Sequence, residues 1–206
     1  MSKRGHLYVI AAPSGAGKTS LLKALLARRP GVSFSVSCTT RPPRAGEQDG
    51  RDYHFIGREE FERLITANEF IEHANVFGNL YGTRKSVVDA ALAEGRDLIL
   101  EIDWQGAKQV RERLPEAVQI FMLPPSRAEL EERLRKRGSD SEEAIARRLL
   151  ESVLEMSHWR DFDYVIVNRD FERALAELEA VFDGRGGASR GDRPELQPLV
   201  RELLGT

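Results

Sequence analysis

The chain has 206 residues, of which 41% are hydrophobic and 31% charged, and a formal net charge of -2. That length and balance suit one globular domain with a sizeable core and exclude a disordered chain. The near-neutral charge argues against a general binder of nucleic acid or membrane surfaces, so any basic site must be local. No apolar run reaches membrane-spanning length, and the stretch after Lys3 and Arg4 stops at Pro13, too short for a signal-peptide core; a cytoplasmic protein is expected. The single cysteine, Cys38, cannot form an internal disulfide and reads as a half-buried structural residue.

The first element is a strand over 7–11, Leu-Tyr-Val-Ile-Ala, which feeds Ala12-Pro13-Ser14-Gly15-Ala16-Gly17-Lys18-Thr19 and then a helix from Ser20 to about residue 29. This reads as a phosphate-binding loop. Small residues leave the backbone N–H groups free to surround an anion, and the following helix adds the positive end of its dipole. Residues Ser14, Gly15, Ala16, Gly17, Lys18, Thr19 and Ser20 would then line the phosphates of a nucleotide, with Lys18 reaching the β and γ groups and the Thr19 hydroxyl holding Mg²⁺. The match to GxxxxGK[ST] carries Ala12 in place of its first glycine.

Pro30-Gly31 precedes a second strand over 32–38. The polar segment 39–52, with two prolines, two glycines and three arginines, is a long loop of the functional kind. Extended chain resumes at 53–55, a helix with Phe61, Leu64 and Ile65 on one face covers 58–68, and short extended pieces over 69–83 suggest a small antiparallel lobe. Thereafter strands at 97–103, 117–123 and 163–167 alternate with helices at 85–94, 105–114, 127–137, 141–158 and 170–182. Such alternation gives an α/β fold with a parallel sheet covered by helices on both faces. Residues 184–191 read as a flexible linker and 194–204 as a weak terminal helix.

The loop after the second strand selects the function. Arg41 and Arg44, three residues apart and stiffened by Pro42 and Pro43, make a rigid cationic clamp whose guanidinium forks match phosphate oxygens. The run Ser37-Cys38-Thr39-Thr40-Arg41-Pro42-Pro43-Arg44-Ala45-Gly46-Glu47, followed by Gly50-Arg51-Asp52-Tyr53, resembles the guanylate kinase family, and the resemblance holds in order from residue 5 to about 182. It implies a P-loop NTPase-like core (about 5–38, 85–126 and 159–183), an inserted antiparallel GMP-binding lobe (about 39–84), a helical lid (about 127–158) and a tail over 184–206.

The same resemblance implies transfer of the γ-phosphoryl group of ATP to GMP, with dGMP as a second acceptor and Mg²⁺ accompanying ATP. Arg41 and Arg44, helped by the hydroxyls of Tyr53 and Tyr81, would hold the acceptor phosphate. Glu72 would accept from guanine N1–H and the 2-amino group, with Ser37, Thr83 and Asp103 around the base. Arg137 and Arg148 match the family's lid arginines; with Lys18 and Arg41 they would neutralise the transferring phosphoryl group as lobe and lid close to exclude water. Asn168 matches a position near the donor adenine.

Period-2 alternation at the end of the strand over 97–103 puts Glu101 and Asp103 on one face, where either could support Mg²⁺ through water; the family more often has Asp at position 101, which favours Asp103. Arg169, intervening before Asp170, is a second departure. Arg133, Arg135, Lys136 and Arg147 read as solvated charges paired with Glu131, Glu132, Glu142 and Glu143. No nucleic-acid or membrane partner is expected, and a homo-oligomer remains open. Two other readings stand beside the kinase: a catalytically silent module of the same fold that binds phosphopeptides through its arginine clamp, and a same-fold kinase for another phosphorylated acceptor.

Overall fold

A computed structural model describes residues 4–76, 78–136 and 142–206. In chain order its elements are β1 (Leu7–Ala11), α1 (Lys18–Arg28), β2 (Val32–Phe34), β3 (Cys38–Thr39), β4 (His54–Phe55), α2 (Arg58–Thr66), β5 (Phe70–Val76) and β6 (Asn79–Arg84). They continue with α3 (Lys85–Ala93), β7 (Asp97–Glu101), α4 (Trp104–Arg113), β8 (Val118–Leu123), α5 (Arg127–Lys136), α6 (Glu142–Ser157), β9 (Tyr164–Val167), α7 (Phe171–Phe182) and α8 (Leu196–Leu204). The larger sheet has the order β2-β7-β1-β8-β9 and the smaller the order β4-β3-β6-β5. All five residues of β1 are buried, as a strand covered on both faces requires. Two compact units divide the chain: Met1–Val9 with Gly31–Val118, and Ile10–Pro30 with Gln119–Thr206.

In the first unit β2 and β7 pair in parallel, Val32 opposite Asp97 and Phe34 opposite Ile99. The single strand expected over 32–38 is divided between the two sheets. Ser35 N–H still donates to the Ile99 carbonyl at 2.9 Å, whereas Cys38 pairs with Gly82 and His54. Burial decides this: Cys38 is fully buried with Phe61, Phe70 and Leu80 in the core of the smaller sheet, and that burial pushes its thiol pKa up.

The smaller sheet is mixed rather than antiparallel. β5–β6 and β3–β6 run antiparallel, but β3 and β4 run parallel, because residues 40–53 supply a connection of the length that a parallel return needs. Phe61 of α2 stacks on Phe70 of β5 with ring centroids 4.5 Å apart. Gly82 permits that approach, since a Cβ there would meet Phe61, Phe70 and the Glu72 carbonyl at 3.0 Å.

In the second unit β8 and β9 pair in parallel from Ile120–Tyr164 to Leu123–Val167. Helix α7 starts on an Asp170 cap that accepts from Arg173 N–H, and it packs on α1, where Arg28 pairs with Glu172 and Glu179.

The segment read as a flexible linker is instead packed. Residues Gly186–Ser189 form a 3₁₀ turn, Gly191 N–H donates to the Asp163 carbonyl at 2.8 Å, and a Cβ on Gly186 would lie 2.8 Å from Tyr164 and Val181. Gly186 and Gly191 serve close approach rather than flexibility. Beyond it, α8 packs against α6 and buries Leu196, Leu199, Val200 and Leu203. No helix among the described residues is long and apolar enough to cross a membrane.

Leu203 is 0% exposed, so Leu203→Ala is expected to cost about 2–5 kcal/mol in urea unfolding, the range for a cavity-forming core truncation. A loss below about 0.5 kcal/mol, typical of surface positions, would show that the tail does not contribute to the core.

Candidate active site

The phosphate-loop side lies in the second unit. After β1 the chain turns through Gly15 at φ 93° and Gly17 at φ 89°, left-handed conformations that favour glycine. Gly17 is the N-cap of α1, which has no side-chain cap and no acidic residue in its first turn. A first turn of that kind has the chemistry that suits an anion at the positive end of the helix dipole. Lys18 and Thr19 open this helix; Thr19 is exposed and Lys18 partly so, and both interact with neighbouring groups. Ser14 and Ser20 are exposed on either side.

The loop is held by its carbonyls. Asn168, 6% exposed after β9, donates from Nδ2 to the Ala16 carbonyl at 2.8 Å. Arg133 of α5 donates to that same carbonyl and to the Asn168 carbonyl, both at 3.3 Å. Leu130 and Leu134 of α5 close on Gly15, and a Cβ at Gly17 would fall 2.4 Å from Asn168 Nδ2. Arg133 is thus a brace of the loop and not the solvated charge expected of it. Its pairing with Glu129 one turn earlier is what makes it indistinguishable, in sequence, from an ordinary surface ion pair. Arg148 is half-buried on α6 and interacts with its surroundings; Arg137 lies outside the described residues.

The arginine–tyrosine side lies in the first unit. Arg41 is only 10% exposed, with its guanidinium carbon 5.4 Å from the Tyr53 ring centroid and 5.8 Å from that of Phe55. Tyr53 meets Tyr81 edge-on at 5.9 Å, and Tyr81 also interacts with Arg41. Glu47 accepts from Arg41 Nη1 at 2.8 Å and Nη2 at 2.9 Å, and from Arg44 N–H at 2.7 Å. These bonds, the one from Arg41 foremost, hold the Glu47 carboxyl down at about 2 and raise the Arg41 pKa. The Arg44 residue itself is exposed. Glu47 and Phe55 are site residues with no separate signal in the sequence; only the folded loop brings them beneath Arg41.

A second cluster in that unit surrounds Glu72, which is 3% exposed on β5. Thr83 hydrogen-bonds it and shares a 2.9 Å bond with Ser37. The carboxyl lies against the first turn of α4, where a Cβ on Gly106 would be 2.8 Å from Glu72 Oε2. Burial chiefly, with the Asp103 charge, pushes its pKa up to about 7 against the pull of Thr83 and Arg113. Asp103 caps α4, Oδ1 accepting from Gly106 N–H at 2.8 Å and Oδ2 from Gln105 at 3.2 Å. Glu101 is exposed at the end of β7. His73 is structural: its backbone N–H and carbonyl are both bonded by the Gln109 side chain. Ser37, Glu72, Thr83 and Asp103 therefore converge, as do Arg41, Tyr53 and Tyr81.

A braced glycine loop between a buried strand and an uncapped helix, within an α/β fold built on a parallel sheet, defines a phosphate-loop nucleotide-binding protein. The family model described as guanylate kinase matches residues 4–185. The chain is 55% identical over 201 residues to the guanylate kinase of Alkalilimnicola ehrlichii, covering 98% of this chain and 99% of that protein. It is 52% identical over 202 residues to that of Methylococcus capsulatus, with 98% and 99% covered. The crystal structure of guanylate kinase from Anaplasma phagocytophilum superposes with a TM-score of 0.70 at 35% identity, covering 97% of this chain and 95% of that one. The chain belongs to the guanylate kinase family.

The raised pKa of Glu72 has a thermodynamic consequence. A carboxyl that titrates near 4.5 when unfolded and near 7 when folded binds its proton more tightly in the native state, so stability falls as pH rises from 4.5 to 7 and stays lower above. The loss approaches about 3 kcal/mol. Glu72→Gln is expected to remove that slope, gaining most of this amount relative to the parent between pH 5 and pH 8 in urea unfolding. A parallel pH dependence of the two proteins would show that Glu72 is not held protonated.

Proposed function

We propose that this chain transfers the γ-phosphoryl group of ATP to GMP, and to dGMP, giving ADP and GDP (or dGDP). The observation that carries the reading is the buried Glu72 carboxyl beside Thr83, Ser37 and Asp103 in the same unit as the Arg41–Tyr53–Tyr81 cluster. A carboxylate accepts both guanine N1–H and the 2-amino group, which adenine does not offer in the same places. Ser37, Thr83 and Asp103 would complete the surroundings of the base, while Arg41, Arg44, Tyr53 and Tyr81 would hold the acceptor phosphate.

On the donor side the phosphates would meet the N–H groups of residues 14–20, with Lys18 on the β and γ groups and Asn168 near the adenine. Magnesium suits this donor set: a hard ion that keeps several waters needs few protein ligands, and the exposed Thr19 hydroxyl at the start of α1 supplies one. Asp103 or Glu101 would support it through water. When bound, Mg²⁺ would draw charge from the phosphate oxygens. Lys18, Arg41, Arg137 and Arg148 would supply the remaining positive charge.

In the reaction an acceptor phosphate oxygen attacks Pγ as the bond from Pγ to the ADP oxygen breaks, the electron pair leaving with ADP. The acceptor phosphate is already anionic, so no dedicated general base and no covalent enzyme intermediate are needed. A cytoplasmic location is the reading that suits freely diffusing nucleotide substrates.

ADP release measured with GMP, AMP, CMP and UMP tests the reading: GMP is expected to be strongly preferred, and Lys18→Ala to lower kcat by about 100-fold or more by removing charge stabilisation. No GMP stimulation, together with retained phosphopeptide binding, would assign the chain to the silent binding modules instead. Glu72 adds a pH signature. Because guanine needs the carboxylate and the empty site favours the acid, the GMP KM should rise about tenfold per pH unit below 7. Glu72→Gln should raise that KM at pH 8 and flatten its pH profile; an unchanged profile would remove Glu72 from base recognition.

A further inference from the structure

Arg41 keeps one buried N–H, that of Nε, without a hydrogen-bond partner, although Glu47 and Tyr81 both bond its guanidinium. A guanidinium has five N–H donors. Nη1 gives one to Glu47 Oε2 at 2.8 Å and one to the Pro42 carbonyl at 2.7 Å, and Nη2 gives one to Glu47 Oε1 at 2.9 Å. Glu47 therefore grips the far end of the group, and Nη1 lies on its Cδ side. On the opposite edge lie Nε–H and the second N–H of Nη2, and the Tyr81 hydroxyl also hydrogen-bonds the group.

Arg41 Nε is buried and has no hydrogen-bond partner, a costly condition for a donor on a charged group. The Tyr53 and Phe55 rings restrain the guanidinium from their side. Glu47 also holds Arg44 N–H at 2.7 Å, so one carboxylate ties the backbone of the second clamp arginine to the side chain of the first.

We propose that Glu47 is a positioning residue for the acceptor phosphate: by occupying the end of the Arg41 fork it presents the buried Nε–Nη2 edge as a two-pronged donor to a phosphate monoester. This rests on the acceptor reading above and goes beyond it in assigning the two edges of Arg41 to different partners. A phosphate offers two oxygens at the spacing that such an edge accepts. Glu47 stays ionised throughout the neutral range, since its bonds to Arg41 and Arg44 N–H hold it at about 2, so the arrangement does not titrate away. The opposite role, a stand-in anion that the phosphate must displace, would make Glu47 a competitor of the substrate.

The two roles predict opposite signs for the near-isosteric Glu47→Gln. As a positioning residue its loss should raise the GMP KM by about tenfold, the scale of one charge-assisted hydrogen bond, with the ATP KM within about twofold of the parent. Inhibition by guanosine, which has the base but no phosphate, should stay within that same margin. In an Arg41→Lys background, which lacks the fork, Glu47→Gln should add little further. A GMP KM unchanged or lowered would overturn the proposal, as would a guanosine affinity weakened by the same factor as GMP, which would make Glu47 a support of the whole lobe. The parent protein is assayed first with ATP and GMP: absence of GMP-dependent ADP release there would count against the kinase reading itself.

Discussion

The Ala16 carbonyl is the point on which the donor side depends. A chain that turns through two left-handed glycines has little to hold its shape, and the N–H groups facing an incoming phosphate cannot be tied down without losing their use. The restraint must come through the carbonyls, and Asn168 and Arg133 supply it from two different elements. Leu130 and Leu134 add contact at Gly15. The result is a loop braced through its backbone, as preorganised anion sites require. Ala12 in place of the expected first glycine fits this account, because the left-handed positions are Gly15 and Gly17.

The acceptor side obeys a related constraint with the opposite bookkeeping of charge. A buried carboxyl is held near its neutral form by desolvation, and a buried guanidinium is retained because a carboxylate caps one end. Glu72 is a buried acceptor whose pKa is raised despite its bonds to Thr83, and Arg41 keeps an unpartnered Nε–H. Their presence in one unit is the physical sign of a ligand that brings donors at one end and an anion at the other, as GMP does.

Much of this was legible because strong local signals coincide with the structure. Largely apolar runs became β1 and β8, the 3.6-residue pattern of 58–68 became α2 with Phe61 inward, and the Gly-Lys-Thr turn opened α1. Where the reading differed, tertiary packing outweighed a local pattern. Alternation over 32–38 looks like one strand, yet two sheets take its ends. Glycines in 184–191 look like a linker, yet two of them let the backbone close on Tyr164 and Asp163. Charge-rich α5 looks like a solvated face, yet one of its arginines turns inward.

By itself the sequence determined the family: the phosphate loop and the proline-stiffened arginines are residue types at spacings along the chain, and spacing is preserved in a linear string, whereas Glu72 and the lid arginines were read from resemblance. Only the tertiary structure decided which of them are partnered and by what. Partnership arises across long sequence separations, as between Ala16 and Asn168 or Ser37 and Thr83, and burial, which sets the pKa of Glu72 and strands Nε of Arg41, belongs to the packed fold and to no residue alone.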